Sequence, residues 1–358
     1  MDKWELLLNL IELPTESQCT YIWGAGNTSR LAHLGMVREN LYEEFHVVGF
    51  LDKKTAGTNI NGFEIAKPEI LETMPSESIY VMISTAYYAI FHEISNILKK
   101  MRIKHCLLDA AILKARIDKV KEAINLFDSF SQRIYRHLLE KRITLEPVEQ
   151  EFYAGEAYFG IRDFCRQRTN EFIIDCGAYV GDTMERFLWR LPLIKKIVCI
   201  EPDSGNYKAL CSRIERLRNE WNCDEEKLIP LRAGIDKETS RRGMINSGDN
   251  LAAIPVQDSN GTDIEGIEFY AIDDLLNEYS WKSISYIKAD IESYEYNMLL
   301  GAVKTIQRDR PRMALCIYHS GVDMFSIPLL VKKICPEFKL SVRHHSYDIL
   351  ETVLYAYI

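Results

Sequence analysis

The alternation of apolar and polar positions predicts two successive series of strands and helices. In the first series, the strand-like runs are 20–23, 46–51, 78–83 and 105–108. In the second series, they are 172–176, 196–200, 227–231, 286–290, 313–318, 339–344 and 352–358. Helical periodicity separates most of these runs, and strands that alternate with helices favour parallel sheets with right-handed crossovers. We therefore predict an α/β protein.

A charged helical stretch between the two series indicates how the chain is divided. We predict a small Rossmann-like domain over 1–115, a connector of one or two helices over 116–150, and a second Rossmann-like domain over 151–358. Within the second domain, 241–272 has room for an extra hairpin. A chain of 358 residues is long enough for two hydrophobic cores.

Composition and charge exclude several classes of function. The net charge of −8 argues against a nucleic-acid partner, which normally meets a basic surface. No apolar run reaches the roughly 18 residues of a membrane span. The nine cysteines are scattered without a C-x-x-C pair, so we expect reduced thiols. The first residues lack the basic charge of a secretory signal, and we expect a cytoplasmic protein.

A glycine turn in the second series points to a nucleoside pocket. Gly177 and Gly181 follow the strand that ends near Asp175, and they let a ligand approach the backbone at a helix N-terminus. The next strand ends at Glu201, 26 residues after Asp175. A carboxylate at that strand tip can accept hydrogen bonds from both ribose hydroxyls. These features fit a dinucleotide as well as S-adenosylmethionine.

A third segment separates these two ligands. Asp290 and Glu292 come at the end of a later strand, so the same edge of the sheet should carry them. Ligands of open α/β sheets bind at that edge. A carboxylate there suits the sulfonium and ammonium groups of S-adenosylmethionine, which favours a methyl donor over a dinucleotide.

The order of these motifs resembles that of the FkbM family of methyltransferases. The resemblance covers about 170–358 and rests on the segments 175–183, 200–202, 287–295, 300–302, 317–319 and 351–357. It implies a seven-stranded class I methyltransferase sheet. It also implies an S-adenosylmethionine-dependent O-methyltransferase that acts on a hydroxyl of a sugar, glycan or other small molecule.

The resemblance also implies a set of donor-site residues. These are Asp175, Gly177, Ala178, Tyr179, Gly181, Asp182, Glu201, Pro202 and Asp290. Two positions depart from the family pattern: Ser293 stands where glycine is usual, and Tyr179 where asparagine is common. The Tyr179 ring would stack on adenine or face the sulfonium, or it is ordinary packing.

The catalytic candidates are His319, Asp290 and Glu292. His319 follows an apolar strand at the ligand-bearing edge, and a neutral imidazole can take a proton from a hydroxyl near pH 7. The alternative for His319 is a hydrogen-bonded structural histidine, and Glu292 or Glu295 alternatively caps a helix. A divalent ion held by Asp290, Glu292 and His319 is conceivable from the ligand types, but the resemblance does not call for it, and we expect no metal.

The N-terminal half carries a second glycine turn. Gly24, Gly26 and Asn27 form it, and Asp52 ends the next strand, although the third glycine of the dinucleotide fingerprint is missing. The pattern looks like small Rossmann-like domains of sugar-modifying enzymes that hold a nucleotide or nucleotide-sugar; a ligand-free scaffold is the alternative.

The competing functions for the protein are an NAD-dependent oxidoreductase and a nucleotide-sugar binding protein, both of which would use the N-terminal domain. No tyrosine is followed four positions later by lysine, which argues against a short-chain dehydrogenase.

Overall fold

The computed structural model describes residues 2–166, 168–246, 253–256 and 266–358. Two compact units make up the protein. The first comprises Met1–Tyr153, Ile317–Ser326 and His344–Thr352, and the second comprises Ala154–Cys316, Ile327–Arg343 and Val353–Ile358. The stretch 116–150, predicted as a connector, groups with the first unit, and two segments from the second half of the chain join it. The three-part division of the chain stays a prediction.

The first unit is built on a six-stranded sheet. Its strands are β1 (Cys19–Trp23), β2 (Val47–Leu51), β3 (Asn59–Ile60), β4 (Phe63–Ala66), β5 (Ile79–Ile83) and β6 (Lys104–Leu107). They run in the order β3-β4-β2-β1-β5-β6, and all pairs except the β3–β4 hairpin are parallel. The four strands predicted here are present as β1, β2, β5 and β6. The sequence did not indicate β3 and β4, which are too short to show a period.

Helices surround this sheet. They are α1 (Lys3–Asn9), α2 (Asn27–Arg38), α3 (Leu41–Glu44), α4 (Tyr88–Lys100), α5 (Leu108–Ala115), α6 (Ile117–Ile124) and α7 (Ser129–Thr144). The predicted helical stretch is therefore a pair of helices, α6 and α7. Helix α7 begins at Ser129 because the Asp128 carboxylate accepts a hydrogen bond from the Ser131 backbone N–H at 2.9 Å. All five residues of β5 are buried, which explains its continuous apolar run.

The second half of the chain contains a seven-stranded sheet and a smaller one. In chain order the strands are β7 (Glu171–Cys176), β8 (Ile194–Ile200), β9 (Leu228–Leu231), β10 (Gly234–Ile235), β11 (Ser240–Asn246), β12 (Ala253–Val256), β13 (Gly266–Tyr270), β14 (Tyr286–Ala289), β15 (Arg312–Cys316), β16 (Lys339–His344) and β17 (Thr352–Tyr357). The large sheet has the order β16-β17-β15-β14-β7-β8-β9, with β17 antiparallel to β15. The prediction of two α/β folds with a seven-stranded second sheet is confirmed.

The small sheet fills the predicted insertion. Strands β11 and β12 pair as an antiparallel hairpin, and the sheet order is β10-β13-β11-β12. The remainder of the insertion, 247–252 and 257–265, lies outside the described residues.

The helices of the second half connect its strands. They are α8 (Arg162–Cys165), α9 (Asp182–Arg190), α10 (Ser204–Trp221), α11 (Ile272–Glu278), α12 (Glu295–Leu300), α13 (Val303–Asp309) and α14 (Gly321–Ile334). Helix α10 begins after Asp203, whose carboxylate accepts a hydrogen bond from the Asn206 backbone N–H at 2.7 Å. Across the described part of the chain, no helix combines the length and the apolar character that a membrane crossing needs.

Candidate active site

Three neighbouring parallel strands of the large sheet end at the same level. In the register, Cys176 at the end of β7 lies opposite Ile200 of β8 on one side and Ala289 of β14 on the other. The next residue along each strand is Gly177, Glu201 or Asp290. The three positions that sequence analysis selected therefore meet at one carboxyl edge, where ligands of open α/β sheets bind.

Gly177 makes the close approach between two of these strand ends. Its φ is +75°, and a Cβ at this position would lie 1.9 Å from the Asp290 carbonyl oxygen. The Gly177 and Ala178 backbone N–H groups both donate to the Ile200 carbonyl at 3.0 Å. Only glycine fits here, so the turn passes directly over the ends of β8 and β14.

Gly181 begins helix α9 from a left-handed conformation. Its φ is +82°, and a Cβ there would come within 2.8 Å of Leu210 Cδ1. No side chain caps this helix, so the first backbone N–H groups are left for other partners. Asp182 lies in the first turn, half-buried, and pairs with Arg186 at 3.6 Å.

Glu201 ties the glycine turn to the end of β8. Its buried carboxylate accepts hydrogen bonds from the backbone N–H groups of Tyr179 at 2.9 Å and Asp203 at 3.0 Å. Burial raises the pKa of Glu201 to about 7, although these hydrogen bonds oppose the shift. The Asn206 side chain is a third hydrogen-bond partner of this carboxyl. The two carboxylate oxygens offer about four acceptor positions, so capacity is left for a hydroxyl. Pro202, half-buried, separates Glu201 from Asp203.

Tyr179 lies at the tip of the turn. Its φ of 50° is in the left-handed region, which asparagine tolerates better than other non-glycine residues. This conformation accounts for the asparagine that the FkbM family commonly has here. The Tyr179 side chain is 39% exposed, and its stacking on an adenine stays a prediction.

Asp175 forms a buried ion pair with Lys288 beside the glycine turn. It is fully buried, and Lys288, its neighbour across the β7–β14 register, places Nζ 3.0 Å from the Asp175 carboxylate. The same ammonium donates to the Gly177 carbonyl at 2.6 Å. Burial by itself lowers the pKa of Lys288. The nearby carboxylates, of which Asp175 has the largest effect, outweigh burial and raise the pKa, so the lysine stays charged. A direct contact of Asp175 with the donor stays a prediction.

Two further residues of the site, Lys288 and Tyr158, were not predicted from the sequence. The Tyr158 hydroxyl donates to Asp290 Oδ2 at 3.0 Å, and the Lys288 ammonium lies 5.4 Å from the centre of the Tyr158 ring. Tyr158 is buried and stands outside every motif, so no local signal could have found it. Lys288 lies within the third motif and could have been noted as a charge inside an apolar strand. The Tyr158 hydroxyl therefore orients the carboxylate of Asp290 at the sheet edge.

The loop after Asp290 is a sharp turn with two left-handed residues. Glu292 has φ 57° and Ser293 φ 68°, which explains why the FkbM family usually has glycine at the Ser293 position. The buried Glu295 carboxylate closes the turn by accepting a hydrogen bond from the Ile291 backbone N–H at 2.7 Å. Glu295 is the first residue of α12, and this bond holds the preceding loop, while Glu292 is half-buried in the loop; the helix-capping alternative stays a prediction.

His319 lies further from its strand than the sequence indicated. The predicted strand 313–318 ends at Cys316, although the next residue, Ile317, still donates its backbone N–H to the Thr352 carbonyl. His319 is buried in the segment Ile317–Ser326, which groups with the first unit. Its role as a base stays a prediction.

In the first unit, the second glycine turn occupies the equivalent place on its own sheet. Gly24 follows β1 with φ +116°, and Gly26 precedes helix α2, which begins at Asn27. Asp52 follows β2, and its carboxylate accepts a hydrogen bond from the Ala25 backbone N–H at 3.3 Å. The four residues named by the sequence pattern thus meet at one edge.

Comparison with known families gives the class of chemistry. Residues 175–338 match the sequence model of the Methyltransferase FkbM domain. Over this segment the chain is similar to a methyltransferase FkbM domain. The segment contains Gly177, Glu201 and Asp290, and its match supports a methyltransferase. No match was found among curated proteins.

Solved structures support the fold of both units. Methyltransferase FkbM from Methylobacillus flagellatus KT is similar with a TM-score of 0.57 and 19% identity, over 99% of this chain and 98% of that chain. Fibrillarin of Aeropyrum pernix in complex with S-adenosyl-L-methionine is less similar, with a TM-score of 0.33 and 12% identity over 53% of this chain and 67% of that chain. A putative methyltransferase of Streptococcus mutans in complex with SAH has a TM-score of 0.33 and 14% identity over 54% of this chain and 91% of that chain. At these identities the likeness concerns the fold alone.

Proposed function

We propose that the methyltransferase FkbM domain transfers a methyl group from S-adenosylmethionine to the oxygen of a hydroxyl on a sugar, glycan or other small molecule. The observation that carries the donor assignment is the meeting of Gly177, Glu201 and Asp290 at one edge of the sheet. The glycine turn lets a ligand approach the backbone closely. The Glu201 carboxyl lies at the position for the ribose, and the Asp290 carboxylate is a second acceptor for the methionine moiety.

The residues present fit the donor. The absence of a side chain at Gly177 lets the glycine turn pack against the Asp290 backbone, and the Glu201 carboxyl, held by two backbone N–H groups, keeps acceptor capacity for a ribose hydroxyl. Asp290, oriented by the Tyr158 hydroxyl, would accept from the ammonium group of the methionine moiety. The Tyr179 ring would cover the adenine.

When bound, S-adenosylmethionine supplies an electrophilic methyl group on a positively charged sulfur. The chain's task is to hold the acceptor oxygen in line with the methyl carbon and the sulfur, and to remove the hydroxyl proton as the new oxygen–carbon bond forms. His319 is the proposed base, with Asp290 and Glu292 as the alternatives. S-adenosylhomocysteine then leaves, and the proton passes from the base to water.

The experiment is methyl transfer by the full-length protein from methyl-labelled S-adenosylmethionine to a panel of sugars, nucleotide-sugars and hydroxylated small molecules. Amine-bearing analogues of the same compounds serve as matched acceptors. The proposal expects label in an O-methyl ether, identified by mass spectrometry. Label on nitrogen or carbon, or no transfer to any member of the panel by a protein that binds the donor, would refute the assignment to hydroxyl acceptors.

The base is tested by His319→Ala on the same acceptor. Loss of a positioned base typically lowers turnover by about 10²- to 10⁴-fold. The affinity for S-adenosylhomocysteine should change less than about threefold, because the base acts on the acceptor. Unimpaired turnover would return His319 to a structural role and leave Asp290 or Glu292 as the base.

A further inference from the structure

We propose that the first unit binds a nucleoside phosphate at the carboxyl edge of its six-stranded sheet. The ribose would be held by Asp52, and the phosphate by the N-terminal turn of α2 together with Ser84. This proposal does not depend on the methyl-transfer chemistry, because every residue it uses belongs to the first unit.

The strand order places the site at a reversal of the sheet. β1 lies between β2 and β5 in the sheet. The chain runs from β1 to β2 on one side and, after β3 and β4, returns past β1 to β5 on the other. In open α/β sheets, the loops at such a reversal diverge and leave a crevice outside the carboxyl ends of the strands. The turn Gly24–Gly26, Asp52 and Ser84 follow β1, β2 and β5 directly.

The glycine turn delivers an uncapped helix N-terminus to this crevice. A Cβ on Gly24 would lie 2.6 Å from the Ser84 carbonyl oxygen, so the turn requires glycine. Helix α2, twelve residues long, begins after Gly26 with no side-chain cap and no acidic residue in its first turn. Its first N–H groups and the positive end of its dipole favour an anion.

Ser84 supplies the second, independent indication of a ligand. The residue is only 9% exposed, and its Oγ is buried with no hydrogen-bond partner among the described residues. Its Cβ lies 3.7 Å from the point that a Cβ on Gly24 would occupy, so the hydroxyl is beside the turn. A buried hydroxyl without a partner is costly, and a phosphate oxygen at the turn would accept its hydrogen bond.

Asp52 repeats the arrangement of the ribose acid in the other unit. Its carboxylate accepts from the backbone N–H of Ala25 at 3.3 Å, as the Glu201 carboxylate accepts from that of Tyr179 at 2.9 Å. In both units, the acid at the tip of one strand bonds the glycine turn of its parallel neighbour. Asp52 is half-buried, and its Oδ1 already accepts from the Lys54 and Thr55 backbone N–H groups at 2.7 and 3.2 Å. Its Oδ2, which accepts from Ala25, is therefore the oxygen for a ribose hydroxyl.

The local charges favour a phosphorylated ligand. Lys53 and Lys54 follow Asp52 and are exposed, and Arg30 lies in the first part of α2. Within the described residues, none of the three is engaged in an ion pair. Tyr87 and Tyr88, both exposed beyond Ser84, provide aromatic faces for a base or sugar.

The test is calorimetric titration of the full-length protein with ADP, UDP, GDP and CDP, and with pyrophosphate as the arm for phosphate alone. Saturating S-adenosylhomocysteine is present to occupy the second unit. We expect at least one nucleoside diphosphate to bind with a Kd of about 100 µM or tighter. Ser84→Ala and Asp52→Asn should each weaken that binding at least about tenfold, while Ser76→Ala, at a half-buried serine just before the opposite end of β5, should leave it unchanged.

Three outcomes would overturn the proposal. The first is that no nucleoside diphosphate binds to the folded protein. The second is nucleotide binding that Ser84→Ala and Asp52→Asn leave intact, or that is seen only when S-adenosylhomocysteine is left out, which would place the nucleotide away from this edge. The third is pyrophosphate binding as tightly as every nucleoside diphosphate, which would leave an anion site without nucleoside recognition. Thermal unfolding of each variant checks that a loss of binding is not a loss of fold.

Discussion

At the scale of single residues, Glu201 combines a structural and a binding role. Its carboxyl bonds the backbone on both sides of the crevice, and burial raises its pKa from 4.5 to about 7. The folded protein therefore holds this proton more tightly than the unfolded chain does. The stabilisation is fully present below about pH 4.5 and is lost as the pH rises through about 7.

This shift predicts a pH-dependent difference between the wild type and Glu201→Gln. As the pH rises from 4.5 to 8, the free energy of unfolding of the wild type should fall relative to the variant by roughly 3 kcal/mol, since one pKa unit corresponds to about 1.4 kcal/mol. Urea unfolding at several pH values measures it. Parallel profiles for the two proteins would mean that Glu201 has an ordinary pKa.

The buried pair of Lys288 and Asp175 supports a second prediction. Lys288→Met leaves a buried carboxylate unpaired and should lower the free energy of unfolding by about 3–5 kcal/mol. The double variant Lys288→Met/Asp175→Asn should recover part of this loss, because the unpaired charge is gone. Lys208→Met, on the exposed face of α10, is the control and should change stability by less than about 0.5 kcal/mol. Equal effects at the two lysines would contradict the account.

Residues of the site differ in how far the sequence predicts them. Gly177 and Glu201 could be predicted, because a glycine turn and an acid at the next strand tip are local patterns with a known spacing. Tyr158 could not, because its partner Asp290 lies 132 residues away. Such contacts follow from the order of strands in the sheet, which local periodicity does not contain.

At the scale of elements, the turn after β7 decides the geometry of the site. It approaches β14 so closely that a side chain at Gly177 would collide with the backbone of Asp290. The sequence predicted the strands on both sides because buried parallel strands read as apolar runs. It placed the end of β15 two residues too late, because Ile317 continues the apolar run after the strand has ended.

Gly177→Ala should therefore abolish binding of S-adenosylhomocysteine and lower the melting temperature. The added methyl group meets a backbone oxygen, so the turn or the end of β14 has to move. Gly155→Ala is the matched control in the same unit, where a Cβ would meet no atom within 4 Å. Calorimetry and thermal unfolding compare the two variants. Donor binding by Gly177→Ala at wild-type affinity would show that the turn is not part of the donor site.

At the scale of the whole molecule, the chain passes repeatedly between its two units. The first unit includes two segments from the second half of the chain. In one of them, the Gly321 backbone N–H donates to the Asp109 carboxylate at 2.9 Å. In the other, the Tyr347 carbonyl accepts a hydrogen bond from the Val148 backbone N–H at 2.8 Å. The sequence predicted the two α/β series because each is a continuous pattern. It could not predict this interleaving, which depends on contacts between distant segments.

The interleaving predicts that a fragment of residues 151–358 is impaired. The segments Ile317–Ser326 and His344–Thr352 lose their partners in the first unit, including the hydrogen bond from the Tyr135 hydroxyl to the Met324 carbonyl at 2.7 Å. We expect the fragment to unfold at a lower urea concentration than the full chain, or without a cooperative transition. A fragment with the stability of the full chain would show that these contacts contribute little.

Calorimetric titration of the full-length wild type and of Glu201→Gln with S-adenosylhomocysteine tests whether this sheet edge binds the methyl donor. We predict micromolar binding by the wild type. Loss of hydrogen bonds to a charged acceptor costs about 1.5–3 kcal/mol, so the variant should bind roughly 10- to 150-fold more weakly, with its fold intact. A folded wild type that does not bind S-adenosylhomocysteine, or a variant that binds it with unchanged affinity, would contradict the assignment of this sheet edge to the methyl donor.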